Sequence, residues 1–240
     1  MTAGLSGPMP AEAEIVRLAG RDVRVRWRRS ARARRLSLRV DAREAEIVMT
    51  LPPRVERAAG LTLLRSHAVW VLSRLDHLPA AVPWHDGGEV LLDGRPHAIA
   101  HCPDGRRGVW IEDDVVKVSG EAPFLRRRLT AFLREEAGRR LGARLAQIGG
   151  PAGLRPRRIV IKDTSSRWGS CSADGTVMLN WRLVMAPADV QHYVVAHELA
   201  HLRHMNHGPD FWVLVAGLTP HRHRAETWLR RHGPGLLRAA

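Results

Sequence analysis

Short runs in which apolar and polar residues alternate open the chain. Val23, Val25 and Trp27 alternate with Arg24, Arg26 and Arg28, the pattern of a strand with one buried face. Leu36, Leu38 and Val40 alternate with Ser37 and Arg39 in the same way. Ile47–Leu51 predicts a third strand, stopped by Pro52-Pro53. The period then lengthens. Leu61, Leu64, Ala68, Leu72 and Leu75 share one face of a helix predicted over 54–77. A second set of short strands follows at Val90–Leu92, His97–His101, Val109–Ile111 and Val115–Val118, with turn signals at Asp93-Gly94 and Asp104-Gly105. Leu125, Leu129, Phe132, Leu133, Leu141, Leu145 and Ile148 predict a long helix over 123–148, ended by Gly149-Gly150. Beyond Pro151 come an extended run at 158–162, a turn-rich segment SSRWGSCSADG and a strand over 177–183. Three helices close the chain, at 188–205, 210–218 and 220–232.

Strands followed by helices predict an α+β fold. We divide it into a disordered tail at 1–12, a β-rich amino-terminal part at 13–120 and a helical part at 121–240 that also holds the strands of 157–183. The apolar runs are far shorter than the ~20 residues needed to span a bilayer, so no membrane association is expected. The first residues lack the basic and apolar regions of a secretory signal. Two cysteines, Cys102 and Cys171, exclude a disulfide framework and a cysteine-based zinc knuckle. A cytoplasmic protein with reduced thiols is the expectation.

Charge changes the picture more. The 240 residues carry 38 Lys+Arg against 24 Asp+Glu, a formal net charge of +14. Lys117 and Lys162 are the only lysines. The surplus lies at the two ends of the chain, in the arginine strands and in the last ninety or so residues. Such a balance fits a polyanion partner such as DNA. A codon bias towards arginine explains it equally well.

Of the 13 histidines, eight lie between His192 and His232. Among them is His197-Glu198-Leu199-Ala200-His201. On a helix, residues four apart share a face, so His197 and His201 can reach one zinc ion, while Glu198 sits beside them as a base rather than a ligand. A catalytic zinc usually has three protein ligands and an open position. His207 is favoured as the third, because Gly208-Pro209 turns the chain there. The spacing His197, His201, His207 is that of a metzincin, with His204 where the turn glycine stands. His204 is the second choice, and Glu226 is a weaker one.

The segments RWGSCSADGTVMLNWRLVMAP and YVVAHELAHLRHMNHGPDFW resemble the YgjP-like metallopeptidase domain, which is related to the SprT-like and WLM zincin proteases. The resemblance covers most of the chain and is strongest over 165–232. It implies a zincin-like helical catalytic part of the gluzincin type, with a β-hairpin and edge strand beside the site. It also implies one Zn2+ per chain on His197, His201 and His207, with Glu198 as catalytic base. Arg167, Ser170, Tyr193 and His204 are the candidates for orienting substrate or a ligand, and His192 joins Tyr193 as a candidate oxyanion stabiliser. Arg167 fits an ordinary salt bridge equally well, and Cys171 a buried thiol. The expected activity is that of a zinc metalloendopeptidase acting on a protein or peptide. The alternatives are a nucleic-acid-binding protein with a structural zinc and a DNA-recruited, SprT-like protease.

Overall fold

The computed structural model describes residues 12–239. The tail expected at 1–12 lies outside that range except for Glu12, which opens the first strand. The chain divides into two compact units, one ending at Pro79 and one beginning at Ala80.

The first unit is a four-stranded sheet, β1 (Glu12–Leu18), β2 (Arg21–Arg29), β3 (Ser37–Asp41) and β4 (Glu46–Leu51), in the order β1-β2-β4-β3. Its apolar face buries Val23, Val25, Trp27, Ile47, Met49 and Leu51 with Leu64 and Val71 of two helices, α1 (Arg57–Ser66) and α2 (Ala68–Asp76). These replace the single helix expected at 54–77. The break is at His67, whose backbone N–H bonds back to the Leu63 and Leu64 carbonyls while its ring meets the Leu63 carbonyl at 3.0 Å. Strand β1 was not expected. It is an edge strand, and its most apolar side chain, Ile15, is 65% exposed, which blurs the alternation. The alternation in β2 turns Arg24 and Arg26 to the sheet's other face. There Arg24, Arg26 and Arg39 pair with two buried carboxylates, Asp41 and Glu46.

The second unit begins with β5 (Glu89–Leu92), β6 (Arg95–Cys102), β7 (Val109–Glu112) and β8 (Val115–Ser119), in the order β5-β6-β8-β7. Asp93 and Gly94 close the first hairpin with φ of 49° and 76°, the left-handed pair that an Asp-Gly turn supplies. This sheet was expected to belong with the amino-terminal strands. Instead, Val90, Leu92, Ile99, Val116 and Val118 share one core with Leu125, Leu129 and Leu133 of α3 (Leu125–Gly149) and with the helices beyond. The apolar face of these strands is therefore covered by α3.

A three-stranded sheet follows, β9 (Arg158–Lys162), β10 (Gly169–Cys171) and β11 (Thr176–Asn180), in the order β10-β11-β9, so β10 is an edge strand. The strand expected to reach residue 183 stops at Asn180, where a 3-10 turn over Trp181–Met185 begins. The Asn180 side chain caps that turn by accepting the Arg182 N–H at 3.0 Å. Helices α4 (Ala188–Ala200), α5 (Pro209–Leu218) and α6 (Arg222–Arg238) complete the fold. Helix α4 is buried nearly all round, as a central core helix must be. Gln191 ties its first turn to three acceptors, Asp93 Oδ1 at 2.8 Å and the carbonyls of Val184 and Ala186 at 3.2 and 2.8 Å. The carrier of the His-Glu pair is thus fixed to the β5–β6 hairpin and the 3-10 turn.

Candidate metal centre

Helix α4 ends at Ala200, one turn earlier than its expected end at 205. The N–H groups of Leu202 and Arg203 bond only three residues back, to Leu199 and Ala200, and the chain then leaves the helix. This early end separates the two candidates for a third ligand. His204 is carried away from the cluster, and its contribution is its backbone carbonyl, which accepts the His201 Nδ1–H at 3.0 Å. That bond fixes the tautomer of His201 and leaves Nε2 with a free lone pair, the usual arrangement of a metal-ligating imidazole. His207, on the loop before α5, comes back over the helix. Its Nε2 lies 3.2 Å from Nε2 of His197. Ligand atoms of His197, His201 and His207 all lie within 4.8 Å of one another, the one such group among the described residues.

The donor set fits a metal. Two nitrogens bound tetrahedrally to one zinc at about 2.0–2.1 Å would stand about 3.3 Å apart, close to the His197–His207 separation. Burial, then the charges of His201 and His207, pushes the pKa of His197 down to about 4. Burial also lowers that of His201. Both imidazoles are therefore held neutral, the ligating form.

Glu198 lies beside this cluster on α4 and is not one of its donors. Its side chain is buried, and Oε2 has no hydrogen-bond partner among the described residues. Burial lifts its pKa to about 7, opposed by the charge of Arg167. The edge strand β10 closes over it. A Cβ at Gly169 would stand 2.5–2.7 Å from the Glu198 carboxyl group, so only glycine lets the strand approach. Asn180 shapes the turn before β10. Its Nδ2 donates to the Thr164 carbonyl at 2.7 Å and its own N–H to the Trp168 carbonyl at 2.8 Å, while Thr164 Oγ1 donates to the Arg167 carbonyl at 2.6 Å. This holds Arg167 exposed, in electrostatic reach of Glu198.

The other expected residues take different places. Ser170 sits mid-strand in β10, opposite Met178. Tyr193, one turn before His197, donates its hydroxyl proton to Glu226 Oε1 at 2.6 Å. Glu226 also accepts from Arg222 Nε at 3.1 Å. Burial acts to raise the Glu226 pKa, but these two bonds hold it below its ordinary value. Its carboxylate is therefore engaged and stands outside the donor set. His192 is turned to the Leu218 carbonyl at 3.2 Å, which occupies its Nε2. Cys171 is half-buried, and desolvation raises its thiol pKa. Sequence reasoning gave no role to Trp212 and Arg222. The Trp212 ring is stacked on His207, with centroids 5.6 Å apart and planes 30° from parallel, and the Arg222 guanidinium lies 3.3 Å from the Trp212 centroid.

Three imidazoles, from the last turn of the central helix and the loop that follows it, converge beside a buried carboxylate and could hold a metal ion. The YgjP-like metallopeptidase domain matches residues 34–232, and the chain belongs to that family. Among solved structures, the metallopeptidase zymogen of Pyrococcus abyssi abylysin is 23% identical, with 38% of this chain and 96% of that chain covered and a TM-score of 0.34. No curated protein matches. The chain is a metallopeptidase by family. Among the described residues no helix is long and apolar enough to cross a membrane.

Proposed function

We propose that the chain is a zinc metalloendopeptidase in which His197, His201 and His207 hold the ion and Glu198 is the general base. The observation that carries this reading is the unpartnered carboxyl oxygen of Glu198, buried next to three converging imidazoles. A carboxylate left without a partner costs stability, and such a cost fits a group kept free for proton transfer. Zinc bound there would supply a Lewis acid for the peptide carbonyl and would lower the pKa of water towards about 7. Glu198 takes the proton from the attacking water and returns it to the amide nitrogen as the C–N bond breaks. The exposed Arg167 guanidinium, beside Glu198, suits a substrate carbonyl or carboxylate. Edge strand β10 offers unpaired backbone groups to an extended chain, which favours internal cleavage of peptides over a strict terminal preference. A structural zinc would call for four protein ligands and no base. The three-histidine set with a free carboxylate favours the enzyme. Replacing Glu198 with Gln should leave zinc bound and cut peptide hydrolysis by about 10²–10⁴-fold. Undiminished turnover in that variant would refute the base assignment.

A second reading, binding of nucleic acid by the first unit, is favoured by how its arginines are sorted. Arg24, Arg26 and Arg39 are answered by Asp41 and Glu46. Arg28, Arg32, Arg34, Arg35 and Arg54 are exposed and have no acidic partner among the described residues. Arg29 donates to the carbonyls of Pro52, Pro53 and Val55, drawing 52–55 against the end of β2, and the segment 30–36 joins that same end to the start of β3. Five unanswered guanidinium groups at one end of a sheet suit a phosphate backbone. Both activities are compatible in one chain, as a peptidase recruited to DNA.

A further inference from the structure

The three histidines are not held alike. His197 is carried by α4, and His201 closes that helix with its Nδ1 fixed by the His204 carbonyl. His207 stands on the loop between α4 and α5 and is exposed. Its Nε2 faces His197, and its Nδ1 makes no hydrogen bond among the described residues. The ring of this donor is therefore oriented by what packs on it. Phe211 meets it edge-on at 4.7 Å, and Trp212 stacks on it. Phe211 is fully buried and needs no further support. Trp212 is only half-buried, and the group that fixes it is the Arg222 guanidinium. A cation placed over an indole is attracted by the negative face of the ring. Arg222 is aimed in turn by Glu226, and Glu226 by the Tyr193 hydroxyl. Tyr193 is on α4, one turn before His197, and its ring lies 5.8 Å from that of His197. The contacts thus form a closed circuit from α4 through α6 and α5 to the His207 loop, and back to α4.

We propose that Tyr193, Glu226, Arg222 and Trp212 are positioning residues that aim the His207 imidazole, the exposed donor carried by a loop rather than by α4, at the metal. This rests on the reading that the three histidines hold the ion. The relay does for His207, by stacking and charge, what the His204 carbonyl does for His201. It also accounts for Glu226, a carboxylate near the centre that is kept ionised yet donates nothing to it.

The test is zinc affinity, measured by titrating the metal-free full chain with Zn2+ against a chromophoric chelator. Arg222→Ala should weaken binding by about 10- to 100-fold, the usual effect of losing a group that orients a ligand. Glu226→Gln and Tyr193→Phe should act in the same direction and less strongly. Arg222→Lys should fail to restore affinity, because an ammonium cannot lie flat on the indole. The discriminating measurement is the same set in a His207→Ala background. There each substitution should change zinc affinity by less than about threefold, since the ring it aims is gone. A merely structural role would weaken both backgrounds equally. Wild-type affinity in Arg222→Ala, or an undiminished loss in the His207→Ala background, overturns the relay. If Arg222→Ala does not fold, Glu226→Gln decides by the same criteria. Failure of the underlying reading looks different: His207→Ala alone would then bind zinc as tightly as the wild type, and the relay would fall with it.

Discussion

At the scale of single residues, Glu198 is at odds with its surroundings. Its pKa of about 7 against an ordinary 4.5 means that the folded, metal-free protein binds more protons than the unfolded chain between those two values. Stability is then lost as pH rises through that window, by up to about 3 kcal/mol for a shift of this size. His197 has the opposite sign, since its folded pKa is lowered and it costs stability as pH falls from 6.5 towards 4. A Glu198→Gln variant keeps the His197 effect and loses the Glu198 one. Denaturant unfolding of the two metal-free proteins should therefore show the variant gaining on the wild type between pH 5 and pH 8, by about 2–3 kcal/mol. A gap that does not change with pH would mean that the carboxylate is not strained by its burial. The pair His197 and Glu198 was legible in the sequence because helical spacing alone places both. The Tyr193–Glu226 bond was not, because 33 residues separate the partners and no local pattern links them.

Elements explain what spacing left open. The sequence places His204 three and His207 six residues after His201, and the choice between them depends on where α4 ends. No residue between Ala200 and Gly208 is a strong stop signal, so a helix to 205 was the natural expectation. The observed end at Ala200 puts the ring of His204 outside the centre and uses its carbonyl instead. His204→Ala should accordingly keep zinc affinity within about threefold of wild type, whereas losing a true ligand abolishes tight binding. A large loss in the same chelator titration would place the His204 ring in the centre after all. Strand β10 was foreseen as part of a hairpin. The reason for Gly169 was not, because its neighbour, the Glu198 carboxyl group, is brought to it only by the fold.

For the whole molecule, hydrophobic periodicity predicted the fold class and most elements, but it grouped β5–β8 with the wrong partner. A strand's alternation shows that one face is covered and does not show by what. Here the cover is α3, and the Asp93-Gly94 hairpin is tied to Gln191 across 98 residues. The net charge of +14 also resolves only in three dimensions. Part of the first unit's surplus is neutralised on the sheet, and Arg28, Arg32, Arg34, Arg35 and Arg54 lie near one end of it. If that end binds nucleic acid, the full chain's affinity for a labelled DNA duplex should fall by about 100-fold between 50 and 200 mM salt. Substituting Arg32, Arg34 and Arg35 together with Ala should reduce the logarithmic salt slope by about one unit per arginine. Affinity that is flat in salt would reduce the arginines to a coding bias.

The central claim is a three-histidine metal centre with Glu198 as its base. It is tested most directly by loading wild type and Glu198→Gln with zinc and measuring, on the same samples, metal per chain and cleavage of an unstructured protein substrate. The account predicts about one zinc per chain in both and cleavage by the wild type alone. Equal cleavage by both proteins, or a wild type that retains no zinc, would contradict it.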